Sequence, residues 1–84
     1  MGEKEIGKVN HYYTHLGVGI IELKDELKVG DKIHIKGHTT DFTQEVASMQ
    51  IEHEDIEQAK KGDVIGLKVD EHVREEDQVY LIVE

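Results

Sequence analysis

The sequence has 84 residues, of which 37% are apolar and 35% charged, and its formal net charge at pH 7 is −9. This length allows one small domain, and the acidic balance argues against a general binder of nucleic acid or anionic membranes, which needs clustered Lys and Arg. The chain has no cysteine, and its start, MGEKEIGK, lacks an apolar run, so we expect a cytoplasmic protein with no disulfide, signal peptide or membrane span.

Strand signals dominate the chain, and no segment has the periodicity of a long helix. The six predicted strands lie at residues 6–13, 18–23, 32–36, 42–52, 64–69 and 78–83, and residues 1–4 are expected to be disordered. In the third strand Ile33 and Ile35 alternate with polar residues, which is typical of a half-buried strand. The alternation of the fourth strand breaks at residues 47–48, which predicts a bulge there.

Between the strands, turn signals recur. Gly30-Asp31, Gly62-Asp63 and Glu76-Asp77 each directly precede a strand, where glycine supplies a positive φ and aspartate caps its own turn. One helical turn is predicted at residues 55–60, with Gly62 ending it.

Six short strands without βαβ spacing predict an all-β fold, a closed antiparallel barrel of six strands. The residues expected in its core are Ile33, Ile35, Val46, Ile65, Leu67, Val79 and Leu81.

The segment LKVGDKIHIKG, residues 27–37, resembles the LxxGDxIxIxG signature of the β-barrel domain that follows the G domain in elongation factor Tu, initiation factor two and related translational GTPases. Residues 73–80 resemble the closing turn of that domain, although Glu76 stands where the family has glycine. The intervening positions that match the family pattern are Val46, Ser48, Met49, Ala59, Gly62, Asp63, Ile65, Gly66 and Leu67.

This resemblance covers residues 5–84 and implies a single Greek-key barrel like domain 2 of those GTPases. It also implies contacts with a G domain, the ribosome or the 3′ end of tRNA. The HYY opening at residues 11–13 and the segment TTDFTQEVASMQ, residues 39–50, are similar as well to a small barrel appended to some collagenase-like peptidases and to short free-standing elongation-factor-like proteins.

No catalytic residue, cofactor site or metal site is predicted. Residues 2–8 have the G-x-x-x-x-G-K spacing of a phosphate-binding loop, but Val9 replaces its Ser or Thr and no strand precedes it. Ser48 lacks the G-x-S-x-G context of a nucleophile. The histidine pairs spaced four apart would lie roughly 13 Å apart on a strand, too far for one metal ion. These pairs are His11 with His15 and His34 with His38.

A candidate partner surface has two parts. Tyr12 and Tyr13 are adjacent, so one points inward and the other outward, where with His15 it would stack on a base or anchor a protein. The outer face of the third strand carries a small basic stripe for an RNA or acidic partner, or else a solvated face balanced by neighbouring carboxylates. The stripe consists of Lys32, His34 and Lys36.

The sequence therefore predicts a non-enzymatic binding module, translation elongation factor-like but without the GTPase, that docks on a protein or ribonucleoprotein partner. The alternative is an accessory subunit of a collagenase-like peptidase or of an RNA-modifying enzyme. Direct RNA binding is weakened by the net charge of −9.

Overall fold

The computed structural model describes residues 2–83, and within them the chain forms ten strands and no helix, which confirms the all-β class. No helix in this part of the chain is long and apolar enough to cross a membrane. The strands are β1 (Gly2–Tyr13), β2 (Val18–Leu23), β3 (Leu27–Lys28), β4 (Lys32–Lys36), β5 (Asp41–Glu45), β6 (Met49–Ile51), β7 (Glu54–Ile56), β8 (Gln58–Ala59), β9 (Val64–Lys68) and β10 (Gln78–Val83).

The strands form one antiparallel sheet in the order β5-β4-β10-β1-β2-β9-β6-β7, beside a two-stranded sheet of β3 and β8. The expectation of a closed six-stranded barrel is wrong, because no backbone ladder among residues 2–83 joins the two ends of this order. Three residues connect β5 at one end to β6 near the other. A link of that length reaches at most about 14 Å, so the sheet curls on itself without closing.

The seam is the gap between β5 and the end of β9, which the Gln44 side chain crosses. The hydrogen bonds beside it explain why the backbone ladder stops there. The backbone of Val46 bonds to the turn before β4 and not to the opposite edge: its N–H donates to the Asp31 carbonyl (2.8 Å) and its carbonyl accepts from the Gly30 N–H (2.9 Å). The amide of Gln44 then spans the gap. Its Nε2 donates to the carbonyl of Lys68, and its Oε1 accepts from the N–H of Asp70, so one side chain stands in for a pair of ladder bonds.

Three predicted strands coincide with β2, β4 and β10. The fourth predicted strand divides into β5 and β6, with residues 46–48 between them where a bulge was expected. The expectation of disorder at residues 1–4 is wrong for residues 2–4, because Gly2, Glu3 and Lys4 extend β1 and pair with β10. Met1 lies outside the described residues.

The predicted helical turn at residues 55–60 is also wrong. This stretch contains the end of β7 and all of β8, which find hydrogen-bond partners in β6 and β3. Ile56 packs against the core and Ala59 is buried, as the helical pattern required, so the burial was predictable although the conformation was not.

The core is continuous, and six of the seven residues expected in it are fully buried. Leu81 is half-buried and packs against the others, and Val83 is exposed. Val9 is buried, so strict alternation along β1 would turn Tyr13 inward. A register shift between Val9 and His11 reverses this order: Tyr12 packs against the core and Tyr13 is exposed.

The three predicted turns share one geometry. Gly30, Gly62 and Glu76 have φ angles of 98°, 92° and 76° respectively, in the left-handed region. In each turn the following aspartate accepts a bond from the backbone N–H three residues earlier, which fixes the chain before the next strand. These bonds join Asp31 to Lys28 (2.9 Å), Asp63 to Lys60 (3.0 Å) and Asp77 to Arg74 (2.8 Å).

Candidate functional site

An apolar groove of about 510 Å³ opens on the outer face of the sheet, between the β1–β2 hairpin, β9 and the β6–β7 hairpin. Three of the large apolar side chains along it are well exposed: Tyr13 at 46%, Leu16 at 64% and Val64 at 47%. The remaining lining residues are Val18, Ile20, Gln50, Glu52, His53, Ile65 and Gly66.

The floor of the groove is made by β2 and β9. Ile20 lies directly opposite Gly66 in this ladder, and Val18 is next along the same face. A Cβ at Gly66 would lie 3.4 Å from Val18 Cγ1 and 3.7 Å from Ile20 Cδ1. The glycine therefore keeps the floor free of a side chain that would otherwise fill it.

One wall of the groove is the tight turn between β6 and β7. Ile51 pairs with Glu54, so the loop consists of Glu52 and His53 alone, with φ angles of 52° and 67°. Two successive positive φ angles define a type I′ hairpin turn, for which Asn-Gly is the favoured sequence. Glu52 and His53 therefore hold a strained backbone, a feature that is common at functional sites.

Three carboxylates lie in or beside the groove. Glu52 lines it, Glu22 lies opposite Val64, and Asp55 accepts a bond from Gln50 Nε2 at 2.8 Å. Among residues 2–83, none of these three carboxylates belongs to an ion pair. One basic side chain, Lys68, lies opposite Val18 on the β9 side.

His34, on β4, is held in a separate cluster of charges. Its side chain is only 14% exposed; Nε2 lies 2.5 Å from Asp41 Oδ1 and Nδ1 lies 2.8 Å from Glu3 Oε2. The hydrogen bond to Asp41 raises the pKa of His34; burial opposes this rise and Glu3 adds to it. The His34 ring thus ties β1, β4 and β5 together, and both ring nitrogens already have a carboxylate partner.

The two lysines beside His34 face carboxylates across the β4–β5 ladder. Lys32 lies opposite Glu45 and Lys36 lies opposite Asp41. Directly opposed side chains in an antiparallel pair have Cβ atoms about 5 Å apart, so the charges on this face alternate. This arrangement favours the balanced, solvated face over a basic stripe.

The structure does not bring the two parts of the expected partner surface together. His34 lies opposite Tyr80, which lies opposite Glu5 on β1. Tyr13 is eight residues further along β1, about 26 Å away at the rise of a strand. Whether either part binds a partner stays a prediction.

The two tyrosines have different surroundings. Tyr12 contacts His72 with the two rings tilted and their centroids 4.5 Å apart, whereas Tyr13 contacts His11 edge-on at 4.6 Å and lines the groove. His15 is exposed in the β1–β2 turn.

Leu16, Val64 and the Glu52–His53 turn were missed as candidate residues. Their signal in the sequence is the apolar character of both faces of β2, where Ile20 and Ile21 are adjacent. A strand with one face in water should alternate, so a second apolar face indicates that something covers it.

Within residues 2–83, no group of three or more His, Asp or Glu side chains is placed to hold a metal ion. Every buried side-chain nitrogen or oxygen atom in this part of the chain has a hydrogen-bond partner. The polar interior is therefore fully satisfied by the chain itself, and the surface is where a ligand would bind.

No protein-family model matches this chain. It is 51% identical over 81 residues to an uncharacterized protease of Methanocaldococcus jannaschii, a match that covers 95% of this chain and 20% of that protein. It is also 39% identical over 77 residues to a collagenase of Porphyromonas gingivalis, covering 89% of this chain and 21% of the collagenase. The chain thus spans about a fifth of the length of the curated relatives it matches.

Two solved structures have the same fold. Both are the C-terminal domain of a Geobacillus thermoleovorans protein described as a U32 peptidase, one of them as its selenomethionine variant. The first superposes with a TM-score of 0.89 at 17% identity, covering 95% of this chain and 93% of that one. The selenomethionine variant superposes with a TM-score of 0.86 at 18% identity, covering 90% and 96%.

These findings correct the interpretation drawn from the LxxGDxIxIxG signature. The relatives are a protease and a collagenase, and the structural neighbours are C-terminal peptidase domains, so the assignment to domain 2 of translational GTPases is wrong. The elongation-factor-like function that was inferred from this signature is therefore wrong as well. The similarity to the small barrel of collagenase-like peptidases is the one that the relatives support.

Proposed function

We propose that this chain is a non-catalytic accessory module of a peptidase-type protein. The observation that carries the proposal is the 51% identity to a protease of which the chain matches only 20%. A segment so similar, yet so small a part of that protein, fits an appended module better than a complete enzyme. The fold shared with C-terminal peptidase domains supports the same view.

The absence of catalysis belongs to the proposal and rests on the chemistry of the side chains. A hydrolytic nucleophile needs an adjacent base that is free to accept its proton. The chain has no cysteine and a single serine, Ser48. Both ring nitrogens of His34 face carboxylates, so this histidine is not free to act as such a base. The balanced charges along β4 give no support to direct RNA binding, and the cytoplasmic location remains a prediction.

A segment exchange tests the accessory role. In the Porphyromonas gingivalis collagenase, the matching 77-residue segment would be deleted or replaced by this chain, and cleavage of collagen would be measured. We expect the deletion to lose most of the cleavage, the exchange to restore it, and an unrelated β-domain of similar length to restore none. The isolated 84-residue chain should cleave no collagen.

Two outcomes contradict the proposal. A deletion variant as active as the intact collagenase, or an exchange variant no more active than the deletion, would remove the accessory role. Collagen cleavage by the isolated chain would show that it is itself an enzyme.

A further inference from the structure

We infer that the apolar groove is the docking surface of this module, and that its occupant is a cluster of apolar side chains flanked by Lys or Arg on the partner protein. The identity of that partner as a peptidase-type protein rests on the proposed function. The chemistry of the occupant rests on the groove alone.

Exposed apolar side chains are concentrated at the groove. Five large apolar residues are exposed in the described part of the chain, and Tyr13, Leu16 and Val64 all line this groove. Single exposed apolar residues are ordinary, but contiguous ones on an otherwise polar surface mark interaction sites. In a chain with 35% charged residues, such clustering calls for a cover.

The shape of the groove suits an inserted side chain. The volume of about 510 Å³ lies within the range of about 300–1,000 Å³ found for sites that enclose a ligand. Because Gly66 leaves the floor bare, bulky side chains can reach Val18 and Ile20. The occupant is therefore an inserted aromatic or aliphatic anchor, the kind of residue that contributes most to binding at protein interfaces.

The charges around the groove indicate which residues should flank the apolar side chains of the occupant. Glu22, Glu52 and Asp55 lie in or beside the groove without an ion pair among the described residues, and Lys68 is the lysine that lies opposite a lining residue, Val18. Complementary potentials steer association and suppress wrong partners. Basic flanks complement these carboxylates, whereas RNA phosphates or a second copy of this chain, with its net charge of −9, are repelled.

The wall formed by the β6–β7 turn is rigid. A two-residue hairpin turn has little freedom, and Glu52 and His53 hold positive φ angles in it. A wall already fixed in its bound shape loses little conformational entropy on binding. The strain kept at these two residues is then part of the site, as strained backbone often is.

The test is a titration of the 15N-labelled 84-residue chain with synthetic hexapeptides, followed by NMR. The probe has a leucine and a phenylalanine between two pairs of lysines; one control peptide replaces the lysines with glutamates, and another replaces the apolar pair with serines. We expect amide shifts confined to the groove, at Leu16, Gln50, Val64 and Gly66, with the lysine–apolar peptide alone. The affinity should fall as the salt concentration rises.

Variants separate the apolar and the charged contributions. Leu16→Glu should weaken binding of the lysine peptide at least tenfold, whereas Val29→Glu should leave it unchanged, because Val29 is 41% exposed but lies outside the groove. Glu52→Lys should weaken the lysine peptide several-fold and strengthen the glutamate peptide. The amide spectrum of each variant reports whether it remains folded.

Several results overturn the inference: no groove shifts at millimolar lysine–apolar peptide, equal binding of lysine and glutamate peptides, or equal effects of Leu16→Glu and Val29→Glu. Concentration-dependent shifts of the free chain in the groove would identify a second copy as the occupant instead. Because this titration needs no peptidase, its failure counts against the groove, whereas failure of the collagenase exchange counts against the accessory role.

Discussion

Replacing Glu76 with glycine should stabilise the protein. Among the three turns of one geometry, the left-handed position is glycine twice, at Gly30 and Gly62, and glutamate once, with a φ of 76°. A side chain in this region costs about 1–2 kcal/mol through the clash of its Cβ with the backbone. Glycine removes that cost but returns about 0.5–1 kcal/mol as extra freedom of the unfolded chain.

The substitution also removes a weak ion pair. Lys8 Nζ lies 3.7 Å from Glu76 Oε2, and the glutamate side chain is 83% exposed. Exposed ion pairs contribute about 0–1 kcal/mol, and the long separation and high exposure place this pair at the low end of that range. The net expectation for Glu76→Gly is therefore a gain of roughly 0.5–1 kcal/mol, or a rise in Tm of about 3–6 °C for a domain of this size.

Calorimetry and urea unfolding measure this gain, and the two glycines provide matched controls. No atom lies within 4 Å of a Cβ built at Gly30 or Gly62, so Gly30→Ala and Gly62→Ala report the same balance of backbone cost and unfolded-chain freedom with no change in an ion pair, and each should destabilise by about 0.5–1 kcal/mol. Lys8→Ala isolates the ion pair. A Glu76→Gly variant with an unchanged or lower Tm, beside destabilised alanine variants, would refute the equivalence of the three turns.

Three further predictions concern the seam, the charge cluster and the core. Gln44→Leu should lower the free energy of unfolding in urea by about 2–4 kcal/mol, because it leaves the Lys68 carbonyl and the Asp70 N–H unpaired. His34→Gln should cost more stability at pH 5.5 than at pH 8.5: a folded-state pKa above the usual value gives stability that is complete below about pH 6.5 and is lost as the pH rises through the raised pKa. Leu67→Ala, at a fully buried position, should cost about 2–5 kcal/mol by thermal unfolding.

The parts of the fold that the sequence predicts are those with a local cause. Period-two alternation places Ile33 and Ile35 inside, and the Gly-Asp turns begin the next strands where they should. The errors are non-local. Residues 55–60 adopt strands because β3 and β6 offer hydrogen bonds, and only the folded chain brings those partners close. Barrel closure fails for a comparable reason, since Val46 bonds to the turn before β4.

The groove was out of reach of sequence patterns for the same reason. Its lining comes from the β1–β2 hairpin, β6, the β6–β7 turn and β9, which are scattered along more than half of the chain. Only the two apolar faces of β2 hint at it. Conversely, the expected basic stripe is local in sequence, whereas the carboxylates that lie opposite its lysines come from β5, which no spacing of lysines reveals.

The signature that suggested a translation factor consists of residues with structural tasks. Leu27, Ile33 and Ile35 are buried, Gly30 takes the left-handed turn position, and Asp31 caps the chain. Gly37 has its own requirement, since a Cβ there would overlap the Asp77 carboxylate. No residue of segment 27–37 lines the groove, whereas Ile65 and Gly66, which also match the family pattern, do. Any small curled sheet with the same turn before the same strand needs these residues, whatever it binds. The LxxGDxIxIxG motif therefore identifies an architecture, and the docking surface that we propose lies outside it, on the face formed by β2, β9 and the β6–β7 hairpin.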